Sequence, residues 1–168
     1  MIGTRELTTL AFAVAALTLS AVSVAQSDEN GPLKTTMDSF LVSVDKKGKE
    51  TVAPTKEAEP GQVIQYRIGA TNMSKAPLRG LVINGPIPAN TKYQAKSNKA
   101  QTAHSFLVSI DGGATWDKEP VKRKRKDKDG KIKEVVIGPE EYTHTRWVVK
   151  SALGPKKKLE FTYRVKVD

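Results

Sequence analysis

Polar and apolar residues alternate with a period of two along most of the chain beyond residue 36. The clearest case is the last: Leu159, Phe161, Tyr163, Val165 and Val167 fall on one side, and Glu160, Thr162, Arg164 and Lys166 on the other. Successive side chains of a strand point to opposite faces, so this pattern predicts a strand with one face buried. The same reading applies to "QVIQYRIGATN", where Ile64, Tyr66, Ile68 and Ala70 oppose Gln65, Arg67 and Gly69. Phe40, Val42 and Val44 predict a first strand, turned by "KKGK" and continued by "ETVAP". Leu78 to Ile83 predict another, which Gly85-Pro86-Ile87-Pro88 should end because proline cannot donate to a ladder. Thr91 to Ala95, Phe106 to Ile110, "KIKEVVI" and "HTRWVV" complete the set. A helical period is confined to the first 25 residues. Short strands separated by frequent Gly, Pro, Asn and Asp predict an all-β fold, an immunoglobulin-like antiparallel β-sandwich of about 7–9 strands.

The N-terminal segment has a different character. Arg5 precedes an apolar run from Leu10 to Leu19, and small residues then lead to Ser23-Val24-Ala25. That order predicts a secretory signal peptide over residues 1–25, cleaved before Gln26. The run is short for a transmembrane span, which needs about 20 apolar residues, and no comparable run follows in the mature chain. Residues 26–36, "QSDENGPLKTT", read as a flexible leader, and 37–168 as a single sandwich domain. The expected location is therefore outside the cytoplasm, periplasmic or extracellular. The chain has no cysteine, which excludes disulfides and a thiol nucleophile. Its net charge of +10 gives it an attraction for polyanions without naming one.

One stretch looks at first like a site. "SIDGGATW", residues 109–116, ends on one of two tryptophans. Asp111 can accept backbone N–H groups within its own turn, and Gly112 and Gly113 tolerate positive φ. The expectation is a structural hairpin made by Ser109, Asp111, Gly113, Thr115 and Trp116, with the indole covering the turn. These five residues resemble the Asp-box of sialidases and related propellers, with one extra residue between Gly and Thr. The resemblance implies a scaffold role, since the box lies away from the catalytic site in that family and recurs there in several copies.

A second resemblance covers residues 60–93. Pro60, Gly61, Val63, Tyr66, Ile68, Asn72, Leu81, Ile83, Pro88, Thr91 and Tyr93 are similar to the pattern of the bacterial surface repeat catalogued as domain of unknown function 11. The closing "LGPKKKLEFTYRVKV" resembles that family's last strand, and 152–167 is the second matching segment. Residues 96–150 are not well covered, and Asn84-Gly85 stands where the family often has Asp. The resemblance implies an exported immunoglobulin-like sandwich of envelope or surface proteins, and no chemistry.

Candidate chemistry is sparse. His104 and His144 are the only imidazoles, and their setting offers no metal-ligand spacing. No catalytic residue, metal site or cofactor is expected. Asp127-Lys128-Asp129-Gly130 has a cation, Arg125, where a calcium loop needs its first ligand; Lys128-Asp129-Gly130-Lys131 reads instead as the turn of a type I′ hairpin. That turn joins a basic run with Lys122, Arg123, Lys124, Arg125, Lys126, Lys128, Lys131 and Lys133, which forms a candidate polyanion-binding arm. Without interleaved aromatics it offers no platform for stacking bases, so no specific nucleic-acid partner is expected. The sequence thus predicts a non-enzymatic exported module of the bacterial envelope, structural or binding in role. Its expected partner is an unidentified envelope protein or an anionic envelope polymer. Polyanion binding through the 122–133 hairpin is the first alternative and a glycan-processing enzyme the second. Trp147 is expected in the core, with Arg146 on the opposite face.

Overall fold

The computed structural model describes residues 31–168 and the backbone of Leu17–Thr18. The strands in chain order are β1 Leu17–Thr18, β2 Leu33–Val44, β3 Glu50–Pro54, β4 Glu57–Ala58, β5 Val63–Asn72, β6 Val82–Pro86 and β7 Thr91–Tyr93. They continue as β8 Lys99–Ala100, β9 His104–Ser109, β10 Lys122–Lys126, β11 Ile132–Val136, β12 His144–Val149 and β13 Lys158–Val167. A 3-10 turn, Pro139–Glu141, precedes β12. The segment expected as a signal lies outside the described residues apart from β1, which pairs with β4.

A six-stranded sheet has the order β3-β2-β5-β13-β7, with β8 also on β13, and a three-stranded sheet has the order β6-β12-β9. All pairings are antiparallel, and the two sheets share one core, so the expected all-β sandwich is what the chain forms. The register of β5 against β13 shows why. Ile64 lies opposite Val165, Tyr66 opposite Tyr163, Ile68 opposite Phe161 and Ala70 opposite Leu159. A slip of one residue would turn Arg164 and Arg67 inward, so burial of one face fixes the register. The Tyr66 and Tyr163 rings stack with centroids 5.3 Å apart.

The second sheet closes on this surface through Trp147, which is wholly buried. Its ring lies 5.6 Å from Phe161 and 5.9 Å from Tyr163 on β13, and 5.3 Å from Phe106 on its own sheet. Two buried polar side chains are fully paired, as burial demands. The Thr145 hydroxyl donates to the Gly85 carbonyl at 3.0 Å. Asn72 donates to the Ala76 and Leu153 carbonyls at 2.8 and 2.9 Å and accepts from the Ser74 N–H and hydroxyl. It thereby holds the turn at one end of the sandwich against the loop that enters β13.

Two boundaries differ from the sequence reading for reasons that lie elsewhere in the fold, while Thr91–Tyr93 and His104–Ser109 shift by only a residue or two. The polar leader expected over 26–36 enters the sheet at Leu33, where Leu33 and Met37 pack on the core while Lys34 and Thr36 face solvent. The strand expected from Leu78 begins only at Val82 and runs through Gly85 and Pro86. Gly80 has φ +66°, a turn that separates Leu78, left with a lone bridge to Leu153, from the strand proper. Gly85 stays in the strand because Tyr163 and Thr145 press on it: a Cβ there would lie 2.7 Å from the Tyr163 ring and 2.6 Å from the Thr145 hydroxyl. Pro86 is tolerated because β6 is an edge strand and ends there.

Replacing Trp147 with Ala should cost about 3–5 kcal/mol, the usual range for emptying a buried aromatic site. Urea unfolding checks this, with the midpoint falling at an unchanged slope. A cost below about 1 kcal/mol would mean that the sheets are held together elsewhere.

Candidate functional site

The 109–117 turn is built from β9 and returns to it. Val108 and Asp117 exchange backbone hydrogen bonds, each 2.9 Å. Between them the polar atoms serve the turn. The buried Ser109 hydroxyl donates to Asp111 Oδ1 at 2.6 Å and accepts from the Gly113 and Asp111 N–H groups. Asp111 Oδ1 also accepts from the Thr115 N–H at 2.9 Å, while Oδ2 accepts from the Thr115 hydroxyl at 2.5 Å. Gly112 and Gly113 have φ +73° and +93°. A Cβ on Gly113 would sit 3.3 Å from the Trp116 ring, so the indole does lie over the turn. The Ser109 hydroxyl holds the Asp111 carboxyl well below the usual carboxylate range, with the Thr115 hydroxyl and N–H adding to the effect.

Trp116 is only half-buried, and its other contacts were not foreseen. The Arg146 guanidinium stands over the ring 3.6 Å from its centroid, held by a 2.8 Å bond from Nε to Asn84 Oδ1. His144 meets the same ring edge-on at 6.4 Å. Alternation places His144 and Arg146 on the outer face of β12, and Ser109 pairs with His144, which brings the turn alongside. Removal from water lowers the pKa of both His144 and Arg146. His104 pairs with Val149 at the far end of the same two strands, with its Nδ1 2.8 Å from the Thr102 carbonyl. At about 3.4 Å per residue the two imidazoles are roughly 17 Å apart and share no site.

The basic run forms the expected hairpin, β10 against β11. Its turn is not type I′. The Asp127 N–H donates to the Lys131 carbonyl at 2.9 Å, Gly130 has φ +78°, and Lys128-Asp129-Gly130 make a three-residue loop. Asp127 selects this form because its Oδ1 accepts from the Asp129 and Lys131 N–H groups at 3.0 and 2.9 Å. Asp45-Lys46-Lys47-Gly48-Lys49, between β2 and β3, repeats the arrangement. There Asp45 Oδ1 accepts from the Lys47 and Lys49 N–H groups at 2.8 and 2.9 Å, and Gly48 has φ +79°. Asp-Lys-x-Gly-Lys is thus a turn module used twice.

The eight arm cations are not equivalent. Arg123 pairs with Asp117, and Arg125 with Glu141, where Nη1 donates to Oε1 at 3.1 Å. Lys122 pairs with Glu134 at 2.8 Å and Lys133 with Asp127 at 2.7 Å. Arg125 lowers the Glu141 pKa, and Lys133, ahead of the turn N–H groups, lowers that of Asp127. Lys124, Lys126, Lys128 and Lys131 are exposed and have no acidic partner among the described residues. Among the described residues no three His, Cys, Asp or Glu side chains gather as a metal site would require, and no helix is long and apolar enough to cross a membrane.

Asp111 gives a pH prediction. Its folded-state pKa is depressed, so its stabilising effect is complete above the unfolded value of about 3.9 and is lost as pH falls from there toward the folded value. Asp111→Asn cannot offer two carboxylate oxygens to the turn. The melting temperature of the original should exceed that of Asp111→Asn by a constant margin near neutrality, and the margin should shrink below about pH 4. A margin that does not change between neutral and strongly acidic pH would contradict the assignment.

No known family, curated protein or solved structure matches this chain.

Proposed function

We propose that this chain is a non-catalytic module of the bacterial envelope, exported to the periplasm or cell exterior, with an immunoglobulin-like arrangement of its sandwich and a structural or binding role. The observation that supports a non-catalytic role is the use of Asp111. Its carboxylate and the Ser109 hydroxyl are taken up by the turn's own N–H and O–H donors. A general base needs a free lone pair aimed at substrate, and this carboxylate is held as a low-pKa turn anchor. The order of charge, apolar run and small residues before Gln26, and the likeness of residues 60–93 to an envelope repeat, support the location. Peptide mass mapping of the exported protein should show a mature N-terminus at Gln26. An exported chain that keeps Leu10 to Leu19 would contradict the reading.

A second reading is favoured by the arm: binding of a polyanion through Lys124, Lys126, Lys128 and Lys131, which lack acidic partners among the described residues. Arg123 and Arg125 are less suited, since their guanidiniums fasten the hairpin to Asp117 and Glu141. Contacts to a polyanion release condensed counterions and weaken steeply with salt. Replacing the four lysines with Ser should move elution from a heparin column to clearly lower salt at an unchanged melting temperature. Equal elution of the two proteins would remove the arm as the site.

A further inference from the structure

The two faces of the β10–β11 hairpin are made differently. On the inner face Val121 and Ile137 are buried at the root, Arg123 and Val135 are half-buried, and Arg125 reaches Glu141. The outer face carries three cross-strand pairs: Lys122 opposite Val136, Lys124 opposite Glu134, and Lys126 opposite Ile132. Glu134 neutralises Lys122. What remains is Lys124 and Lys126 beside two aliphatic side chains that are 66% exposed at Ile132 and 63% at Val136. These are among the most exposed large apolar residues described, and both stand on the face that carries the free ammonium groups.

A soluble polyanion accounts for the lysines and not for the aliphatics. Strand propensity alone does not require them either, since threonine is β-branched and polar. A lipid surface accounts for both. Its phosphates attract the ammonium groups, and its acyl boundary takes apolar side chains out of water. Directly opposite residues of an antiparallel pair stand about 5 Å apart, so Ile132 can dip below Lys126, whose long stem lets the ammonium stay at headgroup level, while Val136 lies diagonal to Lys124 on the same face. Resting on the arm's polyanion reading, we propose that the outer face of this hairpin docks on an anionic lipid surface, with Lys124 and Lys126 at the phosphates and Ile132 and Val136 in the acyl boundary.

The test is sedimentation of the intact protein with mixed phosphatidylglycerol–phosphatidylcholine vesicles, with pure phosphatidylcholine vesicles, and its elution from heparin. The protein should bind the mixed vesicles, and not the neutral ones, at low salt. Lys124→Ser/Lys126→Ser should weaken both vesicle and heparin binding, the former by about tenfold or more. Ile132→Thr/Val136→Thr, which keeps strand-forming residues, should weaken vesicle binding by about tenfold and leave heparin elution unchanged. Ile132→Trp, an interface-seeking side chain at the same place, should strengthen vesicle binding, and no gain would count against the proposal. Heparin binding without vesicle binding, or vesicle binding indifferent to the Thr variant, would overturn the lipid proposal and leave the polyanion reading standing. Binding to neither at low salt would overturn both.

Discussion

The contact on which the rest of the molecule depends is that of Trp147 with Phe161 and Tyr163. A three-stranded sheet with one apolar face cannot persist in water alone, and β12 at its centre supplies the largest wholly buried side chain. That ring meets β13, the strand that β5, β7 and β8 all pair with. The same pressure explains a local oddity. Tyr163 leaves no room for a Cβ at position 85, so glycine is fixed within β6, and the Tyr163 hydroxyl donates to the Pro86 carbonyl at the end of that strand. Burial raises the Tyr163 pKa further from the physiological range, in which a phenol is already a neutral donor.

Around this core three turns share one device. Asp45, Asp111 and Asp127 each start a turn by accepting the N–H of the residue four positions on, with glycine in the positive-φ position. The carboxylate satisfies donors that a tight turn would otherwise leave to water, and its short side chain suits the task better than Glu. This is why a motif that resembles part of a propeller enzyme can serve here as a fastening. It also explains how a run as cationic as "KRKRK" remains a defined hairpin: Asp127 shapes its tip, while Asp117 and Glu141 hold its inner arginines.

The fold was legible where alternation was strict and both faces had a decided environment. β5, β12 and β13 lie where Ile64 to Ala70, the "HTRWVV" run and Leu159 to Val167 placed them, because one face of each is buried and a shifted register would bury charge. It was less legible where a residue's reason lay elsewhere in the chain. Gly85 looked like a terminator because Tyr163, which requires it, is far off in sequence. Leu33 to Thr36 looked like leader because one leucine among Lys and Thr makes a faint pattern, completed only by Met37 and by pairing with β5. The octapeptide's internal bonding could be read from residue chemistry, and the Arg146–Trp116 stack could not, since it needs the register of β9 against β12. The arm's charge was countable in the sequence, whereas its division into paired and unpaired cations depends on which acids the fold brings near.

One locked sandwich thus carries a separately fastened arm. Native-state hydrogen exchange tests this most directly, because it resolves which amides open together. The amides of β5, β12 and β13 should be the slowest and share a single opening free energy, equal to that of global unfolding. Those of β10 and β11 should exchange sooner, through local opening above the Val121–Ile137 root. Hairpin amides as slow as those of β13, or β12 opening independently of β13, would contradict it.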